Sequence, residues 1–501
     1  MTTVTTTDPR TGRTTDTQIV DFTAEEVDRA VRAAIESAAS LRETTRARRS
    51  EMLHRIADLI DASATELATA AGEETGLTEG RLRTEIARSS NQFRLFADVI
   101  MDGHYLEAAI DHATADGAGP DIRRMLVPVG PIAVFGASNF PFAFSILGGD
   151  TASALAAGCP VVAKAHPAHP LTSLLSMEVL RRATAEFVTG ELPVQIVFGM
   201  QAGQDLARHP GITAVTLTGS INAARAIQAI IDEREHPVPF YGELGSINPL
   251  MILPGAAETK GDAIADGLFA SFTGSSGQLC TKPGIAYLPQ GNAGDRIEAR
   301  LREQVEHAPA ATMLTEGMRD SFNTGLSELT SAGATLAAQA APLDEPGFRT
   351  SPTLLAVNHS ELRGRLVEEC FGPVLLVARY SDPAELTEAI RTLPAALTFS
   401  LHTGDGDESV AAEILPTLTE HAGRIIVNEF PTGVRVSWAQ HHGGPWPSTN
   451  SLHTSVGATA IRRFLRPVAF QNVPETLLPE ELTDNYTGIP RRVDGVLVPA
   501  A

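Results

Sequence analysis

Cysteine is scarce in this chain: Cys159, Cys280 and Cys370 are the only three in 501 residues. Their spacing fits neither a CxxC pair nor a metal-ligand set, which argues against a disulfide framework and a zinc centre, so no metal is expected. Such usage suits a reducing compartment. Long apolar runs are missing too, and without a run of about 18 apolar residues no transmembrane helix is expected. The polar start Met1-Thr2-Thr3-Val4-Thr5-Thr6-Thr7-Asp8 lacks the apolar core of a secretion signal, so the expected location is cytoplasmic. Positive charge is in deficit, with 39 Lys and Arg against 60 Asp and Glu and a formal net charge of −21. Nucleic acid and anionic membranes are therefore poor partners, and any bound anion needs a local site.

What is present is an ordinary globular composition, 43% hydrophobic and 20% charged, in a chain long enough for two or three domains. The first hundred residues read as helical. Thr23 and Glu26 form a capping box ahead of Val27, Ala30, Val31, Ala34 and Ile35, and a second helix through Leu53, Ile56, Leu59 and Ile60 is expected to stop near Gly72. From Asp121 the pattern changes to short apolar runs at 131–135, 161–163, 194–198 and 213–217, separated by small-residue helical segments. This is the pattern of buried parallel strands in a doubly wound α/β arrangement. A second α/β unit begins after Asn248 with the runs 249–253, 285–288, 374–378 and 425–427. The last fifty residues lack the alternation and read as an appended arm. Cys159 falls in a helix-to-strand turn between Gly158 and Pro160, where burial is expected.

The segment from Ser271 to Gly284 holds Cys280 in a stretch too rich in glycine and small residues for a good helix or strand. Its backbone can approach a ligand closely and present amide N–H groups to it. A thiolate attacking a carbonyl carbon there would create an oxyanion that the N–H of Cys280 could help hold. The competing reading is a small buried apolar residue.

Other segments bear on that choice. Run 131–135 leads into the turn Gly136-Ala137-Ser138-Asn139-Phe140-Pro141-Phe142, at the strand edge where open α/β sheets bind ligands, and Asn139 offers a second oxyanion donor. Lys164 ends the next run and suits a ribose or phosphate. Gly219-Ser220 opens a helix where free N–H groups could meet a pyrophosphate, although no GxGxxG fingerprint is present. Glu243 lies between two glycines in an apolar stretch, where burial would raise its pKa toward that of a general base. Glu369 precedes the Cys370-Phe371-Gly372-Pro373 turn, with Cys370 expected to be packed.

In these segments, Asn139-Phe140-Pro141, Lys164, Gly219-Ser220, Glu243-Leu244-Gly245, Gly277-Gln278-Leu279-Cys280 and Glu369-Cys370-Phe371-Gly372-Pro373, the chain resembles the aldehyde dehydrogenase superfamily over nearly its whole length. The resemblance implies a subunit with a cofactor domain at 1–245, a catalytic domain at 246–445 and a return segment with an oligomerisation arm at 446–501. A hairpin near 110–130 would share the interface of a homodimer or homotetramer. It also implies oxidation of an aldehyde to a carboxylic acid with NAD(P)+. Cys280 would form a thiohemiacetal held by Asn139 and its own N–H, and Glu243 would activate the thiol, the hydrolytic water or both. Lys164 and Glu369 would hold the two riboses, Phe371 would pack near the nicotinamide ribose, and Gly219-Ser220 would meet the pyrophosphate.

Two departures from the family pattern bear on the cofactor. Ala224 stands where a second glycine is usual. Pro167 stands where NAD-preferring members carry a glutamate, so NADP is expected to be accepted and is favoured over NAD, with Arg208 or His166 pairing the 2′-phosphate.

Within the superfamily, the segments 135–141, 164–170, 242–249, 431–434 and 442–445 are similar to the branch acting on 2-oxoglutarate semialdehyde (2,5-dioxopentanoate). A branch acting on fatty or other aliphatic aldehydes with NADP is the alternative. The substrate's carboxylate would need a cationic mouth, near Arg435 or His441-His442, and Phe142, Phe430 and Trp446 would line an apolar tunnel. Outside the family, a cysteine-dependent esterase without redox cofactor, or a silent binding protein, would use fewer of these segments.

Overall fold

The computed structural model describes residues 2–115, 117, 119–342 and 344–501. The chain opens on an antiparallel hairpin, Thr3–Asp8 with Arg13–Val20, where helix alone is the sequence expectation. Its strands are rich in β-branched threonine and largely exposed, so they carry little of the apolar signal that marks a strand.

Helices Ala24–Glu43, Arg46–Ala62, Ala64–Thr75 and Glu79–Asp102 follow. Thr23 caps the first as expected: its N–H donates to Glu26 Oε2 at 2.8 Å and its hydroxyl accepts from the Glu26 N–H at 3.3 Å. The expected stop at Gly72 does not occur. The break falls earlier, at Ser63, and the following helix runs through Gly72 to end on Gly76 in the left-handed conformation.

The five-stranded sheet behind the site is wholly parallel. Its order is Val194–Val197, Val161–Lys164, Ile132–Phe135, Ala214–Thr218, Phe240–Glu243, so the chain direction across the sheet reverses between the third and fourth of these strands. Phe135 pairs in register with both Lys164 and Leu217, and Thr218 with Glu243, which brings four strand ends to one carboxyl edge. Ligands of open α/β sheets bind at such a reversal. A seven-stranded sheet built from residues 250–427 forms the second unit, parallel except for the edge strand Thr335–Gln339.

A third sheet joins Ala109–Asp111 and Ile122–Pro128 to Leu465–Gln471, Arg491–Val493 and Val496–Val498, so the C-terminal segment is strand-paired to the region read as a hairpin. Asp116 and Ala118 of that region lie outside the described residues. Cys159 and Cys370 are both buried, and burial raises the Cys159 thiol to about 11.

Carboxylates of the helical layer hold backbone turns of the sheets. Glu74 accepts from the Leu171 and Thr172 N–H groups and from the Thr6 and Thr172 hydroxyls, which caps the helix Pro170–Thr184. Glu85 likewise accepts from the Phe142 and Ala143 N–H groups at 2.8 and 3.0 Å and fixes the turn that carries Asn139.

Candidate active site

Cys280 follows helix Pro254–Thr273 and a short turn in which Ser275 and Ser276 have positive φ. Gly277, at φ +66°, lies so close to the turn 370–373 that an added Cβ would stand 2.3 Å from the Gly372 carbonyl carbon. Buried groups lock the loop from behind. Asn248 donates to the carbonyls of Cys280 at 2.7 Å and Lys282 at 3.0 Å. Lys282 donates to those of Cys370 and Val374 at 3.2 and 2.9 Å.

Around the sulfur stand groups from four distant segments. His442 Nε2 is 3.6 Å from Cys280 Sγ. Asn139 Nδ2 donates to the carbonyl of Gln278, two residues before the cysteine, at 2.8 Å. One N–H of that amide is thereby used and the other remains for a ligand. Arg81 ties the two loops together, donating from Nη2 to the Asn139 carbonyl and from Nε to the Ser275 hydroxyl. Glu243 is 7% exposed, its Oε2 has no hydrogen-bond partner, and its other oxygen is 3.5 Å from the point where a Cβ on Gly443 would stand, one residue beyond His442.

Burial dominates the electrostatics. It pushes the Cys280 thiol up to about 12, with the charges of Glu243 and Glu369 adding and Arg88 opposing. It also raises the Glu243 carboxyl well above the usual range, and it lowers His442 to about 3, helped by Arg88 and Arg424. The resting site therefore holds a neutral thiol and a neutral imidazole beside a carboxyl of raised proton affinity. Such a site needs a substrate-triggered transfer of the thiol proton to a base, a role open to Glu243 in its ionised form.

The adjoining cleft, about 1240 Å³, is lined by Ser220, Arg225, Glu369, Phe371 and Trp446. Its size and its donors fit a dinucleotide. Ser220 caps the helix Ile221–Asp232, accepting from the Ala223 N–H, so the amides of the first turn face an incoming anion. Gly219 is less free than its sequence suggests, because its N–H donates to the Glu243 carbonyl at 3.0 Å. Glu369 is raised to about 7 by burial, against the lowering effect of Lys282, and Gly245 leaves room for it: a Cβ there would stand 2.2 Å from Oε2. Lys164 is lowered to about 8 by burial, and desolvation holds the half-buried His166 neutral.

Several expectations need correction. Arg208 closes the helix Met200–Arg208, whose Gly203 packs on Lys164; it therefore lies more than a turn away from the carboxyl edge, paired with Asp205. Phe142 is fully buried in the core, and Phe430 packs on Gly267 and the His402 ring, so both serve packing. Trp446, 53% exposed, lines the dinucleotide-sized cleft with Ser220 and Glu369 and not an apolar tunnel. Arg435 is exposed, whereas the cations whose charge reaches the sulfur are Arg88 and Arg424. Neither was singled out from sequence. Arg88 lies in the stretch read only as helical, although Glu85, Ser89 and Gln92 mark polar positions on the apolar face of its helix, which is a signal that such a helix does more than pack.

Comparison with protein-family models matches residues 1–467 to the aldehyde dehydrogenase family. The chain is 40% identical over 507 residues to alpha-ketoglutaric semialdehyde dehydrogenase 2 of Azospirillum brasilense, covering 97% of this chain and 95% of that protein. To alpha-ketoglutaric semialdehyde dehydrogenase of Acinetobacter baylyi it is 38% identical over 483 residues, with 95% and 92% covered. Among solved structures, lactaldehyde dehydrogenase from Escherichia coli superposes with a TM-score of 0.82 at 21% identity, covering 94% of this chain and 96% of the other. An aldehyde dehydrogenase C mutant from Pseudomonas syringae, in complex with NAD+ and octanal, gives 0.81 at 22%, with 94% of each chain covered. With a half-buried thiol, a buried acid and a dinucleotide-sized cleft, and with these likenesses along almost its full length, the chain belongs to the aldehyde dehydrogenase family.

Proposed function

We propose that this enzyme oxidises 2,5-dioxopentanoate to 2-oxoglutarate through Cys280. The observation that carries the substrate is the 40% identity, over 97% of the chain, to a protein named for that semialdehyde. The two cations beside the sulfur support a substrate that bears a carboxylate.

In this reading the Cys280 thiol loses its proton as the sulfur adds to the aldehyde carbon. The new oxyanion accepts from the Cys280 N–H and from the second N–H of Asn139 Nδ2, donors held in place before the reaction. Ionised Glu243 takes the thiol proton, releases it to solvent once the thioester has formed, and then takes one from the water that opens the thioester; its unpartnered Oε2 supports the role. A bound NAD(P)+ supplies the acceptor for the two electrons that leave the substrate. Its binding falls to Lys164 and Glu369 at the riboses, to Ser220 and the first helical turn at the pyrophosphate, and to Phe371 beside the nicotinamide end. Pro167 in place of an acidic residue favours NADP+. Arg225, on the cleft, replaces Arg208 as the phosphate partner, with neutral His166 as a further donor.

Residues 1–245, 246–445 and 446–501 act as cofactor unit, catalytic unit and return arm of a cytoplasmic homodimer or homotetramer; the separate five- and seven-stranded sheets support the first two units, and the sheet that pairs the arm with residues 109–128 supports the third. Steady-state kcat/KM for a panel of aldehydes against both cofactors is the test. A preference for a long-chain aldehyde over 2,5-dioxopentanoate would remove the substrate, and a tenfold lead for NAD+ would remove the cofactor preference.

A further inference from the structure

Among the described residues, neither arginine whose charge reaches Cys280 makes an ion pair, and Glu85 acts on Arg88 only from a distance. Arg88 reaches inward from the helix Glu79–Asp102, its guanidinium carbon 4.8 Å from the centre of the Phe144 ring and 5.8 Å from that of Phe140. Its Nε and Nη2 are buried without hydrogen-bond partners. Glu85, one turn earlier, is already engaged: one oxygen accepts from two backbone N–H groups and the other pairs Arg81 at 2.7 Å. Arg424, on the strand Ala422–Val427 of the second sheet, donates from Nη1 and Nη2 to the carbonyls of Gly433 and Pro431 at 2.6 and 2.8 Å, and its Nε is buried and unpaired. The Phe144 ring that Arg88 covers lies 5.8 Å from the His442 ring, and His442 in turn lies 3.6 Å from the sulfur. Arg88, the aromatic pair, His442 and the nucleophile thus form one run of contacts, and the charge of Arg424 reaches the same sulfur and imidazole.

A buried guanidinium with unpaired N–H groups is costly, and the cost is recovered when a ligand brings the missing acceptor. We propose that Arg88, seconded by Arg424, is the specificity residue that receives the carboxylate of a short aldehyde acid. The carboxylate takes the free N–H groups while the aldehyde carbon sits at Cys280, and the Phe140 and Phe144 rings cover the carbons between. This rests on the reading that the substrate is 2,5-dioxopentanoate and names the group that recognises its charged end.

The experiment compares the intact enzyme with Arg88→Met and Arg88→Lys on three aldehydes of one length: 2,5-dioxopentanoate, 5-oxopentanoate and uncharged pentanal. Arg88→Met should lower kcat/KM for both acids by about 100-fold or more beyond any change in pentanal, mainly through KM, because the lost charge on the thiol affects all three aldehydes alike. Arg88→Lys should recover part of the loss. Pentanal turnover also reports that the variant is folded and its thiol is competent. Equal loss on all three aldehydes, or loss on none, overturns the role of Arg88 whether or not 2,5-dioxopentanoate is the preferred substrate. If the native enzyme favours 5-oxopentanoate over 2,5-dioxopentanoate and Arg88→Met still spares pentanal alone, the arginine role stands and the substrate reading falls.

Discussion

His442 Nε2 stands 3.6 Å from Cys280 Sγ, near enough to hydrogen-bond the sulfur in either protonation state. Because burial and the two arginines keep the imidazole neutral, it can donate its N–H to a thiolate without carrying charge. Replacing it with alanine should slow alkylation of Cys280 by iodoacetamide about tenfold, the value of one good hydrogen bond to an anion. Alkylation at an unchanged rate across pH would mean that the contact is only packing.

Arg81 and Glu85 couple fold to site. Glu85 holds the turn after Phe140, and Arg81 joins the Asn139 carbonyl to the Ser275 hydroxyl. Glu85→Ala leaves two buried N–H groups without an acceptor and the largely buried Arg81 guanidinium without its carboxylate, so unfolding free energy should fall by about 3–5 kcal/mol. Urea denaturation measures it, and a change under about 1 kcal/mol would show that water replaces the carboxylate readily.

Gly277→Ala tests the close approach of two loops. The added methyl must enter the space of the Gly372 backbone, which has no flexible end to move aside. The Cys280 loop should shift, and since small misplacements near the reacting atoms cost about 100-fold, kcat should drop by that order while cofactor affinity in the cleft changes less. Comparing kcat with the dissociation constant of the dinucleotide separates the two effects.

Two buried acids give opposite dependences on pH. Glu243 must be ionised to accept a proton, and burial raises its pKa, so kcat/KM should climb with pH along a limb above the usual carboxylate range of about 4 to 4.5. Glu243→Gln should remove that limb and lower kcat by about 10²–10⁴. For stability the sign reverses. Glu369, raised from 4.5 to about 7, favours the folded state most below 4.5, and that advantage is lost as pH rises through 7. In the cofactor-free enzyme, Glu369→Gln should match the native melting temperature near pH 5 and exceed it near pH 8. Parallel melting curves for the two proteins across this range would contradict the raised value.

The parallel strands, the capping box at Thr23 and the loop of Cys280 were legible in the sequence because each depends on neighbours in the chain. Apolar runs bounded by glycine and proline pack as strands wherever their helices lie, and a cap needs only the side chain three residues on. The same local chemistry set out Asn139, Lys164, Glu243 and Glu369 at strand ends or turns. The amino-terminal hairpin escaped because half-exposed threonine strands carry almost no apolar contrast.

Arg88, Arg424 and Asn248 were decided by tertiary structure. Their work depends on which buried groups already have partners: Glu85 is used by two amides, Asn248 spans to the Cys280 and Lys282 carbonyls, and both arginines keep N–H groups that no group among the described residues accepts. The same holds for Arg208 and Phe142, whose residue types suit a site but whose positions lie a helical turn away or inside the core. The sequence by itself thus determined the chemistry available at the sheet edge. Packing decided which charges remain unpaired there, because a hydrogen bond made inside the protein is one no longer offered to a ligand.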